Sequence, residues 1–217
     1  MRVSGGAQGP TRWRRRPQRL YGSCVRLIVG ITGATGAVFG VRLLEALRDT
    51  AGVETHAVIS RWARTTLRLE TGRSAAEVAE LADFAYGPGE QAAPISSGSF
   101  RTDGMIVAPC SMKTAAGIRT GYAEGLIGRA ADVVLKEGRK LVLVARESPL
   151  STVHLENLLA LARMGAVVMP PVPAFYNHPE SVEDIVDHVV SRVLDQFDLP
   201  SPKARRWRGL GSDQAES

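Results

Sequence analysis

The apolar residues of this chain gather in short unbroken runs separated by stretches of helical period. Residues 26–31 read RLIVGI, 53–60 VETHAVIS, 104–108 GMIVA, 140–145 KLVLVA and 166–169 AVVM. Unbroken apolar runs of this length suit strands of a parallel sheet, which is covered on both faces and has no wet side. Between the runs, Phe39, Leu43, Ala46 and Leu47 recur at helical spacing, and 61–69 and 74–82 read as helices. A further helix begins near Met112. Leu126, Ala130, Val133 and Val134 mark another over 126–137, ended by Gly138, and 154–164 follows the same period. The last helix is the clearest. Ser181 and Asp184, after Pro179, form a capping-box start. Val182, Ile185, Val186, Val189, Val190, Val193, Leu194 and Phe197 then share one face, and Pro200 and Pro202 stop the helix. Residues 86–102 and 170–179 are rich in Gly, Pro and Ser or in Pro, and are expected to be loops. Strands alternating with helices predict βαβ units: a single α/β domain with a mostly parallel sheet between two helical layers.

Charge changes the picture less than its total suggests. The net charge is +5, but residues 1–24 hold six arginines (Arg2, Arg12, Arg14, Arg15, Arg16, Arg19) and no acid. Removing those six leaves −1 for residues 25–217, so the folded body has no charge excess that would recommend nucleic acid as a partner. The chain is divided accordingly into a disordered Arg-rich leader at 1–24, an α/β domain at 25–199 and a tail at 200–217. The leader lacks the apolar middle section of a secretory signal, and the natural chain is expected to begin at Val25. No apolar run is long enough to span a bilayer. The two cysteines, Cys24 and Cys110, make no disulfide framework, which points to a reducing, cytoplasmic setting.

Candidate chemistry sits where strands end. After RLIVGI comes Thr32-Gly33-Ala34-Thr35-Gly36-Ala37, a Gly-rich turn into a helix. Such a turn lets backbone N–H groups and the helix dipole meet an anion, with Thr32 and Thr35 as further donors; equally, it is a tight turn needed for packing. The glycines at 30, 33, 36 and 40 miss the G-x-G-x-x-G spacing, and the second strand ends at Ser60 rather than at an acid, which weakens a nicotinamide dinucleotide reading. After GMIVA, the segment Pro109-Cys110-Ser111-Met112-Lys113-Thr114 repeats the arrangement, with Ser111 either a plain N-cap or part of an anion site. Cys110 has no His or Asn partner placed by sequence and reads as a packing residue. Arg146 and Glu147 leave the end of KLVLVA, as ligand-binding residues or as a surface ion pair. Arg129 and Lys136, seven apart, share a helix face, and Arg192 borders the apolar stripe of the last helix. The four histidines show no metal-ligand spacing, so no metal is expected.

Taken in order, GITGATGA (30–37), ISSGSF (95–100), APCSMKT (108–114), RAADVVLKEGRKLVLVARESPL (129–150) and GAVVMPPVPAFYNHPESVEDIVDHVVSRVLDQF (165–197) resemble the UbiX family of flavin prenyltransferases, from about Arg26 to Trp207. The resemblance implies a Rossmann-like three-layer fold and a homo-oligomer, often a dodecamer. It implies FMN contacts at Gly33, Ala34, Thr35, Ser60, Ser111, Met112, Lys113, Thr114 and Arg146. It implies a prenyl-phosphate pocket at Lys136, Tyr176 and Arg192, with Arg129 and Glu147 at the reaction centre and Trp207 closing on it. Thr35 stands where many members have serine, which keeps the hydroxyl and adds a methyl. Gly138-Arg139 replaces an Arg-Arg pair. The implied reaction is metal-independent alkylation of reduced FMN at N5 and then C6 by dimethylallyl phosphate. The product, prenyl-FMN, is the cofactor of UbiD-type decarboxylases. A flavoprotein cysteine decarboxylase would be expected to carry a Pro-x-Met-Asn loop, where this chain has Pro173-Ala174-Phe175-Tyr176. A non-catalytic flavin carrier is the remaining alternative.

Overall fold

The computed structural model describes residues 24–201. Six strands form one sheet: β1 (Val25–Ile31), β2 (Val53–Ile59), β3 (Phe84–Tyr86), β4 (Gly104–Cys110), β5 (Lys140–Ala145) and β6 (Val167–Val168). Their order is β3-β2-β1-β4-β5-β6, and every pairing is parallel. Seven helices flank the sheet, six between strands and one after the last: α1 (Ala37–Asp49), α2 (Arg61–Thr71), α3 (Ala75–Ala79), α4 (Met112–Thr120), α5 (Leu126–Lys136), α6 (Thr152–Arg163) and α7 (Val182–Asp195).

The two-residue period of the strands sorts the core into two layers. Leu27, Val29 and Ile31 of β1 face one side, with Ile106, Ala108, Val142 and Val144, and are covered by α1, α2, α3 and α7. Ile28, Val58, Met105, Val107, Leu141 and Leu143 face the other, under α4, α5 and α6. The chain is thus a three-layer α/β domain, as the alternation of runs predicts. Each large aliphatic side chain fully buried in these layers contributes about 1.5–3 kcal/mol.

Three local features differ from the expectation. β3 lies in a segment with no apolar run of its own; its three residues pair only because β2 offers an open edge at His56–Val58. The run 166–169 yields two strand residues, pairing with Val142 and Leu143 at the other edge. α7 starts with the expected reciprocal cap between Ser181 and Asp184, but Val182 is exposed; the buried stripe is Val186, Val189, Val190, Val193 and Leu194. The first turn overhangs the sheet, so period alone could not tell that it has nothing to cover it.

The connection after β1 goes to one face of the sheet and the connection after β4 to the other, although the two strands are neighbours. The winding reverses there, which opens a crevice at the carboxyl ends of β1 and β4, the usual ligand position in open α/β sheets. Among the described residues, no helix is long and apolar enough to cross a membrane.

Candidate active site

The crevice is closed at its base by Thr32, which is 2% exposed. Its hydroxyl donates to the Pro109 carbonyl at 2.7 Å and accepts from the Ser111 N–H at 2.9 Å. The Thr32 N–H also reaches Pro109 O at 3.2 Å. Thr32 therefore joins β1 to β4 and has no hydroxyl proton left for an anion, unlike the expectation for it. Thr35, on the exposed tip of the turn, is free of that duty. Two further bonds extend the tie: Ser60 N–H to Ile31 O at 2.9 Å and Arg146 N–H to Cys110 O at 3.1 Å. The ends of β1, β2, β4 and β5 are thereby fixed to one another. Gly33, Ala34, Thr35, Ser60, Ser111, Met112, Lys113, Thr114, Arg146 and Glu147 all follow directly from those four ends, so the structure brings them to one rim.

Three helices begin on this rim. Ser60 caps α2 by accepting from Ala63 N–H at 3.2 Å, and Ser111 caps α4 by accepting from Thr114 N–H at 3.3 Å. Ser111 Oγ also lies 3.0 Å from Thr114 Oγ1. The N-cap reading of Ser111 holds. Capping also aims the α2 and α4 dipoles, positive end first, at the crevice, where exposed Lys113 and half-buried Arg146 add full charges. Glu147 is exposed and accepts from Ser148 N–H at 3.2 Å, so its carboxylate turns along its own chain. Cys110 is wholly buried, and burial pushes its thiol up to about 12, which leaves no thiolate for attack.

The other expected residues form two separate groups. Arg129 and Lys136 lie on α5. Arg129 Nε donates to Ser96 O at 3.1 Å and its Nη1 to Asp132 at 2.9 Å. Lys136 meets Glu137 at 2.5 Å, beside the 97–100 loop. Lys136 lies just before Lys140, which pairs with Gly104 at the amino ends of the strands, so it sits about 20 Å from the rim, one strand length away. Tyr176 and Arg192 lie on the opposite face, with α7. The Tyr176 ring stands perpendicular to that of His188, 6.1 Å between centroids, and Arg192 pairs with Asp195 at 2.7 Å. Trp207 is outside the described residues.

The flavoprotein family profile matches residues 17–194. A UbiX-like flavin prenyltransferase of Streptomyces sp. (strain D7) is 69% identical over 191 residues, spanning 88% of this chain and 96% of the relative. The chain belongs to the UbiX-like flavin prenyltransferase family. Among solved structures, a dodecameric FMN-dependent UbiX-like decarboxylase from Escherichia coli O157:H7 is 72% identical with a TM-score of 0.84, covering 85% of this chain and 100% of the other. AnUbiX (PadA1), in complex with FMN and dimethylallyl pyrophosphate, is 53% identical with a TM-score of 0.85, covering 87% and 100%.

Two residues of this UbiX-like site escaped the sequence reading. Glu70, near the end of α2, accepts the N–H groups of Gly36 and Ala37 at 2.9 and 2.8 Å. Those are the helix-start donors expected to serve an anion, so at α1 a carboxylate of the chain itself occupies them. An anion at this rim would use the turn at 33–35 and the α2 and α4 starts instead. Nothing local in LRLETG marks Glu70, because its partners lie more than thirty residues upstream. Trp62 stands 74% exposed at the start of α2. A Cβ on Gly33 would lie 2.5 Å from that of Trp62, so the turn approaches α2 as closely as only glycine allows. Nothing in SRWAR signals this, because both the exposure of Trp62 and its nearness to the turn come from the fold.

Proposed function

We propose that this chain transfers a dimethylallyl group from dimethylallyl phosphate to N5 and C6 of reduced FMN, yielding prenyl-FMN for a UbiD-type decarboxylase. The observation that carries the reading is the set of direct hydrogen bonds joining Ile31, Thr32, Ser60, Pro109, Cys110, Ser111 and Arg146 at the β1–β4 reversal. It brings every described residue expected to hold FMN to one rim, with two capped helix starts aimed at it and two cationic residues, Lys113 and Arg146, on it. These groups fit a flavin with a phosphate tail. Gly33–Thr35, Ser60, Ser111–Thr114 and Arg146 would hold FMN, which as substrate supplies the nucleophilic ring atoms.

The donor's C–O bond would break as its C1 joins N5, which gives up its proton, and the phosphate would leave as an anion; in ring closure the alkene takes up a proton as its tertiary carbon bonds to C6, and C6 releases one. Lys136, Arg129, Arg192 and Tyr176 are assigned to that anion, each charge-assisted contact being worth about 1.5–3 kcal/mol. Cationic side chains suffice for this role without a metal, and turnover undiminished by EDTA is the expected result. Glu147 moves the proton, to the departing phosphate or in ring closure. Trp207 of the 200–217 tail is assigned to the apolar wall over the allyl group.

Lys136 and Arg192 lie under and over the same sheet, on α5 and α7. They flank opposite faces of the sheet, and both lie toward its amino edge, where Lys140 Nζ meets the Gln196 carbonyl, away from the rim. A complete site therefore draws on more than one copy, and we assign the chain to a homo-oligomer, a dodecamer in keeping with its relative. Val153, Leu155 and Leu159, exposed on α6, give such an assembly apolar surface to cover. The two free cysteines suit a cytoplasmic location.

The test is to incubate the protein anaerobically with reduced FMN and dimethylallyl phosphate and to take the mass of the extracted flavin. A gain of one dimethylallyl unit is expected. Unchanged FMN retained by intact protein, with the monophosphate and then with the diphosphate, overturns the reading in favour of a carrier.

A further inference from the structure

The Pro-rich segment 170–179 carries Tyr176 on a single 3-10 turn, Phe175–Asn177, with Phe175 71% and Tyr176 50% exposed. Its backbone bonds to described residues are local: Val172 N–H to Pro170 O at 2.8 Å and His178 N–H to Phe175 O at 3.0 Å. Among the described residues, no strand or helix ladder sets the direction of its tyrosine. His188, on the second turn of α7, makes two contacts with it. Its Nδ1 lies 2.8 Å from Asn177 Nδ2, and its ring stands at 90° to that of Tyr176. An amide nitrogen only donates, so Nδ1 carries the lone pair and Nε2 the proton. Arg192 follows His188 by four residues and so lies one turn along the same face.

We propose that His188 is the positioning residue of the prenyl-phosphate site: it latches the 175–177 turn onto α7 and so sets Tyr176 beside Arg192. The inference rests on the reading of Tyr176 and Arg192 as phosphate ligands. His188 acts through them and touches neither flavin nor donor. Its ring does two jobs at once. The Nδ1 lone pair fixes the turn along α7, and the perpendicular ring contact fixes the tilt of the Tyr176 ring. A phenylalanine could do only the second, and an asparagine, whose side-chain oxygen falls near the place of Nδ1, only the first.

The test compares His188→Ala, His188→Asn, Asn177→Ala and the double variant His188→Ala/Asn177→Ala, in the full-length assembled protein. The readouts are KM for dimethylallyl phosphate, kcat, FMN affinity, and hydrogen exchange of the 170–179 amides. His188→Ala is expected to raise KM for the donor about tenfold, the loss of one hydrogen bond and its ring contact, with FMN affinity unchanged. Amide exchange in 170–179 should rise with it. Asn177→Ala should reproduce most of the KM effect, and the double variant should add little to either, since both remove one latch. His188→Asn should recover most of the wild-type KM. Wild-type KM and exchange in folded His188→Ala would overturn the proposal, as would additive effects or a parallel loss of FMN binding. If the wild type transfers no prenyl group at all, the functional reading fails instead. The exchange data then still decide whether His188 holds the turn.

Discussion

The carboxylate of Glu70 closes the N-terminus of α1 by accepting the N–H groups of Gly36 and Ala37 at 2.9 and 2.8 Å. A side chain on one helix thus caps another, and in doing so holds the Gly-rich turn against α2. Glu70→Ala would leave two helix-start donors to water and remove an anion from the positive end of the α1 dipole. The expected loss is about 1 kcal/mol of stability, with Glu70→Gln between it and the wild type. Urea unfolding of the three proteins measures this. Equal midpoints would show that water replaces the cap without cost.

Gly40 lies one turn into α1, where the helix crosses β4. A Cβ there would collide with the carbonyl oxygen of Ala108 and stand 2.9 Å from Ile31 Cδ1. The obstacle is backbone, which cannot swing aside, so Gly40→Ala must lift α1 from the sheet. A loss of about 1–3 kcal/mol is expected, together with weaker FMN binding, because Ala108 adjoins the Pro109 carbonyl that Thr32 holds. Gly89 has nothing within 4 Å of a built Cβ, and Gly89→Ala should stay within about 0.5 kcal/mol of the wild type. Similar losses in both variants would remove close approach as the cause.

How far the sequence could be read follows from the range of each interaction. β1, β4 and β5 were visible because burial on both faces makes their runs apolar without interruption. Ser111 and Ser181 were legible as helix starts, since a cap reaches only three residues ahead; Ser60 was read as the end of a strand, and its capping of α2 comes from the structure. β3 was not, because Phe84–Tyr86 pairs through what β2 offers rather than through a pattern of its own. The contact of Glu70 with Gly36 spans 34 residues, and no local rule contains it. The same limit hid the placement of Lys136 and Arg192. Helical period says which side of a helix faces the core, but not which face of the sheet the helix covers. Their separation emerged only from the layers.

Glu147 leaves β5 exposed on the rim where the β1–β4 crevice opens, accepting from its neighbour Ser148 and not committed to an ion pair with Arg146. A carboxylate so placed can exchange protons with a departing phosphate or with the flavin ring. Glu147→Gln keeps size and polarity but cannot take up a proton. FMN affinity should remain as in the wild type while kcat falls about 10²–10⁴-fold. Single-turnover measurements with reduced FMN separate the two effects. Wild-type kcat would remove Glu147 from the mechanism, and lost FMN affinity would make it a binding residue.

Stability should fall with acid because of a buried network far from the rim. His56 is 2% exposed, stacked on Phe84 at 4.8 Å and edge-on to Phe100 at 5.2 Å. Its Nδ1 lies 2.9 Å from the Tyr86 hydroxyl, whose pKa burial pushes up to about 12, so the phenol stays a donor. Its Nε2–H then faces Glu54 at 2.9 Å, and Glu54 also receives Arg26. Burial holds the His56 imidazole below its ordinary 6.5, against the opposing pull of Glu54. Burial raises the Glu54 carboxyl, but the bonds from Arg26 and His56 outweigh it and hold the group below its ordinary 4.5. In both cases the unfolded chain takes up a proton that the folded chain refuses, so stability rises with pH across each interval. Unfolding free energy should therefore be level above about pH 7, decline below about 6.5 as unfolded histidine protonates, and decline further below about 4.5. Denaturant midpoints at pH 7.5, 6, 5 and 4 give the profile. His56→Gln, which cannot titrate, should shrink the first decline and keep the second; what remains of the first belongs to His188, whose imidazole burial also holds below its ordinary 6.5. A wild-type profile level from 7.5 to 5, or a first decline that His56→Gln leaves at full size, would mean that His56 is not the group that senses acid.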